Sequence, residues 1–169
     1  MNIRRIASLA AAVVLVAVSA APAFAVTVSR ADGLPMNPNG EPFSASGPTS
    51  LHKGAASPIS CTATFNGTVT PEGVVSITST QFTGAALCAL LAGSASSAAP
   101  WTGKADSPTQ VSINNVKVDV RLLGTCGPSK VPAAWSNVDS SATFNNALLT
   151  PDCTVDGRVV TSPRFVVFQ

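Results

Sequence analysis

The sequence predicts an all-β fold: an antiparallel β-sandwich, or an Ig-like or barrel-like domain, held by two disulfides. Three observations carry that prediction. Apolar and polar residues alternate strictly from Ile59 to Thr70, the period of a half-buried strand. Ser and Thr number 18 and 16 among residues 26–169, and Thr suits a pleated surface as Ser suits its turns. Turn signals separate the apolar stretches, with no amphipathic helical pattern between them.

Residues 1–25 read as a secretory signal peptide. Arg4 and Arg5 make a basic start, and the run Ala10 to Ala21 is apolar. That run is shorter than the about 20 residues a membrane span needs. Ala23-Phe24-Ala25 is a small-x-small cleavage pattern, so Ala23 and Ala25 are the predicted cleavage residues. Residues 26–48 read as an irregular lead-in rich in Pro, Gly and Asn, with an edge strand at Phe43 to Ser46. Residues 49–169 form the single β-sandwich domain.

Within that domain, Ile59, Cys61, Ala63, Phe65 and Val69 fall on one face of the first long strand. Pro71-Glu72-Gly73 marks a turn, and Val74 to Gly84 continues as the second arm of a hairpin. Ala85 to Leu91 is apolar without β-branching and suits a short helical turn that places Cys88 against the sheet. Gly93 to Pro100 is a small-residue loop. Val111 to Leu123 is the next strand, with Val116, Val118, Val120 and Leu122 on one face and a bulge at Asn114-Asn115. Gly127-Pro128 reads as a turn, and Val138 to Leu149, Cys153 to Thr161 and Arg164 to Phe168 complete the strands.

Cys61, Cys88, Cys126 and Cys153 are separated by 27, 38 and 27 residues, and four cysteines allow three pairings. Sequential pairing closes two equal loops and is favoured, each worth roughly 3.5 kcal/mol on the loop-entropy account. Zinc is the competing use of four cysteines, but no Cys-x-x-Cys pair occurs. Disulfides agree with an exported protein, periplasmic or extracellular.

After removal of the leader, eight basic and eight acidic side chains remain, a net charge of zero. No Lys/Arg cluster is present, so nucleic acid is a poor partner. No later segment is long and apolar enough to span a membrane, so an integral membrane protein is not expected. A neutral surface also lowers the repulsion between copies, so self-association is open.

No catalytic constellation emerges. His52 is the one histidine and sits beside turn residues, where a solvated position is the ordinary reading. Gly-x-Ser-x-Gly is absent, and eight scattered acids give no specific pair. Neither an enzyme nor a metal or cofactor site is expected. Trp101 and Trp135 are candidate surface-binding residues, because an exposed indole stacks on sugars or dips into lipid. Core packing is the ordinary reading of each, and Trp101, after Pro100 in a loop, is the better candidate for exposure.

Several segments together resemble the alkane-oxidation activator proteins of the PraB type, small exported proteins of Gram-negative bacteria. They are Phe43-Ser44-Ala45-Ser46-Gly47, the run Ser60 to Val69, Leu87-Cys88, Pro100-Trp101-Thr102, Cys126-Gly127-Pro128, Ala134-Trp135-Ser136-Asn137 and Asp152-Cys153-Thr154-Val155. The resemblance implies a non-enzymatic accessory role in hydrocarbon use, with hydrocarbon or the cell-surface and biofilm matrix as partners. It supplies no catalytic residues. Two other classes stand beside it. One is a surface fibre or adhesin subunit that assembles by strand addition through Phe165 to Phe168. The other is a carbohydrate-binding module that uses Trp101.

Overall fold

Alternation along the chain closes into a barrel. The computed structural model describes residues 25–169; Arg4, Arg5, the apolar run and Ala23 lie outside the described residues. The strands are β1 (Thr27–Arg30), β2 (Glu41–Lys53), β3 (Ile59–Val69), β4 (Val74–Gly84), β5 (Leu91–Gly93) and β6 (Trp101–Ser107). They continue as β7 (Gln110–Val120), β8 (Gly124–Ser136), β9 (Ser141–Leu149), β10 (Cys153–Ser162) and β11 (Phe165–Phe168), with one 3-10 turn at Ala86–Leu90. Eight of them, β2, β3, β4, β6, β7, β8, β9 and β10, each pair antiparallel with the next, and β10 returns to pair with β2. The all-β, two-disulfide expectation therefore resolves to its barrel form. Closure removes the sheet edges that an open sandwich would leave.

The alternation sets the polarity of the wall. On β3, Ile59, Cys61, Ala63 and Val69 are buried, while Ser60, Thr62 and Asn66 are exposed. An apolar interior inside a Ser/Thr-rich exterior is the reverse of what a lipid-spanning barrel needs. No helix among the described residues is long and apolar enough to cross a membrane. The register shifts between Asn66 and Gly67, where β4 crosses so closely that any side chain at Gly67 would run into the Ser76 carbonyl. The expected bulge at Asn114-Asn115 is present, with Asn115 at φ 61° and the β7–β8 register shifting beside it. Asn tolerates that conformation better than most residues.

Three expectations need correction. Residues 26–48 are not irregular throughout. β1 pairs with β11, and β2 is an interior strand between β3 and β10 rather than an edge. Its prolines obscured it. The β10 ladder skips Gly47 and Pro48 and ends at Ser44, so neither Pro42 nor Pro48 has to donate a hydrogen bond on that side. Gly127-Pro128 does not end a strand, because β8 runs through it with Cys126, Val131 and Ala133 buried. Leu122 does not share the inward face of β7: the strand stops at Val120, and Leu122 stands 92% exposed at φ 74°.

Three barrel ladders are short. β4 and β6 share four residue pairs, β6 and β7 four, and β8 and β9 three. Two of these seams, β4–β6 and β8–β9, are stapled at the same end of the barrel. Cys61–Cys88 pins the 3-10 turn of the β4–β6 connection onto β3. Cys126–Cys153 ties the start of β8 to the start of β10 past β9. The pairing is the sequential one, with Cα–Cα 5.7 Å in both bridges. Lys53 reinforces the second staple, its Nζ lying 2.7 Å from an Asp152 carboxylate oxygen.

The opposite end carries a lid. β1 and β11 form a separate two-stranded sheet, whose Val28, Phe165 and Val167 pack on Val69 and Ala105 of the barrel.

Candidate functional site

Inward-facing side chains fill most of the barrel, as expected for eight strands, and leave two cavities along its interior. The one beneath the lid has a volume of about 100 Å³ and the one at the disulfide end about 70 Å³. Residue size explains the difference. Ala45, Ala105, Ala133 and Ala142 line the lid-end cavity, where Leu51, Ile59, Leu91 and Leu149 line the other. Phe65, Ile77, Ile113 and Phe144 border both, so the cavities lie on either side of a single layer of side chains.

The lining is apolar almost throughout. Gln110 and Thr161 are its polar residues at the lid end, and Thr49 and Ser50 at the other. Two of these spend their hydroxyls on backbone carbonyls, Thr161 on Ser140 and Thr49 on Cys61. Among the described residues no Asp, Glu, His, Lys, Arg or Cys lines either cavity. No buried side-chain polar atom among them lacks a partner. Water in such a space would find too few partners, since it needs two to four.

The two tryptophans serve the interior. Trp101 is 3% exposed, which agrees with core packing and removes it as a surface-binding candidate. Pro100 made it look like a loop residue, yet it opens β6 opposite Ile77, and its indole N–H donates to the Ser94 hydroxyl at 3.0 Å. Trp135 is half-buried, with its indole N–H donating to Asn137 Oδ1 at 2.8 Å. Trp135 lines the lid-end cavity and Trp101 the other. His52 lies on the outer wall, its Nε2 3.9 Å from an Asp156 carboxylate oxygen, with both side chains more than 40% exposed.

Side chains absent from the sequence reading hold the lid down. Asn137 accepts from the Val167 N–H at 2.8 Å and donates to the Val167 carbonyl at 2.9 Å. Ser140 does the same for Phe165, at 2.9 and 2.7 Å. These two polar residues stand in for a neighbouring strand along the outer edge of β11. Since β1 occupies its other edge, strand addition through Phe165 to Phe168 would have to displace pairing already made. At the other arm, Arg30 bridges Asp32 and Glu41, each at 2.5 Å. The Arg30 hydrogen bond holds the Asp32 carboxyl down at about 2. The Asn37 N–H, then Arg30, lower that of Glu41, and the two acids together raise Arg30. The sequence reading starts a strand at Val138, whereas Asp139 and Ser140 lie in the turn before β9, and nothing local reveals that Asn137 and Ser140 bond a strand 25–30 residues later.

A family model described as alkane oxidation protein activator, PraA/PraB-like, matches residues 1–169, and the chain belongs to that family. Neither a curated protein nor a solved structure matches it.

Proposed function

We propose that this member of the alkane oxidation activator family is an exported accessory protein without chemistry of its own, supporting hydrocarbon use outside the cytoplasm. The observation that carries this reading is the apolar lumen. An acid or base would have to reach a bound molecule there, and no Asp, Glu, His, Lys, Arg or Cys lines either cavity among the described residues to act itself or to activate the Thr49, Ser50 or Thr161 hydroxyl. The disulfides and the basic, apolar leader favour the periplasm or the cell exterior. A deletion strain tests the role. Growth on liquid alkanes should slow while growth on a soluble carbon source does not. The protein should collect outside the cytoplasm with its thiols oxidised. Unchanged growth on alkanes, or four free thiols, contradicts the reading.

A surface role has its own support. Leu87, Leu122 and Leu123 are exposed at the disulfide end, where the Arg121 N–H bonds the Leu90 carbonyl and brings the 121–123 turn beside the 3-10 turn. Exposed leucines on a protein of low charge favour adsorption at an oil–water interface or within a cell-surface or biofilm matrix. Purified protein should lower hexadecane–water interfacial tension, and Leu122→Ser should weaken that effect. Unaltered tension contradicts adsorption.

A further inference from the structure

We infer, building on the hydrocarbon reading above, that the lumen binds one unbranched alkyl chain lying across both cavities, admitted at the end that β1 and β11 cover.

Shape selects the occupant. An apolar protein cavity of roughly 150 Å³ accommodates one benzene. At about 100 and about 70 Å³, neither cavity reaches that size, and together they offer room for a chain of about six carbons. The two are separated by one layer, Phe65, Ile77, Ile113 and Phe144. A chain one methylene wide needs the narrowest opening in that layer, and a branched skeleton needs a wider one. An occupant that is to use both volumes is therefore thin and unbranched.

Polarity selects it again. A fatty acid would carry its carboxylate into a wall with no cation, an uncompensated burial. Arg30, near the lid, is already committed to Asp32 and Glu41. An alkane makes no such demand.

The route follows from how each end is closed. At the disulfide end the covering turn is covalently pinned through Cys88, and the β8–β10 stitch through Cys126. At the lid end Val28, Phe165 and Val167 rest on the barrel, held by β1–β11 pairing, the Asn137 and Ser140 hydrogen bonds and the Arg30 ion pairs. Non-covalent closure opens locally without unfolding the barrel.

The tryptophans make the test direct. The chain has no tyrosine, and each indole faces one cavity. The purified protein and its single-indole forms, Trp101→Phe and Trp135→Phe, are titrated with α,ω-dibromobutane, whose bromines quench nearby indoles. Both single-indole forms should lose emission saturably at one ligand per chain. n-Hexane should reverse the quenching, while 2,2-dimethylbutane and hexanoate should not. Ala133→Leu, and independently Ala142→Leu, fill the lid-end cavity and should weaken binding at least about tenfold. Circular dichroism confirms which of the two remains folded. Asn137→Ala should speed the onset of quenching several-fold. Non-saturating quenching overturns the site, and quenching of Trp135 alone overturns a chain spanning both cavities. Displacement by 2,2-dimethylbutane or hexanoate as strong as by hexane overturns the shape and polarity argument. An unchanged onset in Asn137→Ala overturns the lid-end route. No binding alongside poor growth of the deletion strain on alkanes sinks the site and spares the accessory role; binding with normal growth does the reverse.

Discussion

The two ends of this barrel are closed by opposite means. At one, two disulfides staple two seams whose inter-strand ladders are short, and bulky Leu and Ile side chains pack behind them. At the other, four alanines leave a larger cavity, and a two-stranded lid rests over it on side-chain hydrogen bonds and ion pairs. A covalent staple acts mainly by restricting the unfolded chain, so it raises the stability of the whole without loosening any part. A lid held by a few contacts opens at a lower free energy than global unfolding. A small barrel can thus be stable as a body and accessible at one mouth.

Removing the staple is the largest perturbation. Cys126→Ser with Cys153→Ser opens a loop of 27-residue separation and should cost about 3.5 kcal/mol. That corresponds to a fall of roughly 10 °C in thermal midpoint by calorimetry. Hydrogen exchange at the lid should change no more than that global loss requires. A rise in lid exchange beyond that global loss, with the disulfide end unchanged, would break the contrast between the ends.

Ser140→Ala tests the other side. It strips the buried hydroxyl that serves both the N–H and the carbonyl of Phe165. The expected cost is about 2 kcal/mol. Faster amide exchange should be confined to β1 and β11. Exchange rising equally at the disulfide end would show that the two ends unfold as one.

Acid should act on the lid in the same direction, through Asp32 and Glu41. Both carboxyls sit below their ordinary values of 3.8 and 4.5. Stability from a depressed carboxyl is complete above its ordinary value and is lost as pH falls through the folded one. For Asp32 that loss runs from about 3.8 down to about 2. β1 exchange, corrected for intrinsic rate, should therefore rise below pH 4.5. Arg30→Gln should flatten that rise, and an equally steep rise in this variant contradicts the ion-pair account.

The smallest effect belongs to the exposed turn at the disulfide end. Leu122 holds φ 74°, a conformation that suits glycine better than leucine. Leu122→Gly should stabilise by about 0.5 kcal/mol, the relief of strain less the added freedom of the unfolded chain. A loss in denaturant midpoint would mean that Leu122 packs more than its 92% exposure indicates.

The sequence was most readable where local signals agree. The β3–β4 hairpin shows in the alternation from Ile59 and the Pro71-Glu72-Gly73 turn, and the structure places β4 at Val74–Gly84. It was least readable where prolines interrupt a strand, as in β2 and β8, because local propensity cannot foresee a ladder gap that accommodates them. Choosing the barrel over the sandwich needed one long-range fact, the pairing of β10 with β2, which no local pattern carries. The lumen was hidden for the same reason. Ala45, Ala105, Ala133 and Ala142 are unremarkable residues on four different strands, and they meet only once the barrel closes.

Crystals grown with α,ω-dibromobutane and measured at the bromine absorption edge test the central claim most directly. The predicted result is two anomalous peaks inside the barrel, one beside Trp135 and one beside Trp101, with Phe65, Ile77, Ile113 and Phe144 between them. Bromine found only on the outer surface, beside Leu87 or Leu122, would contradict it.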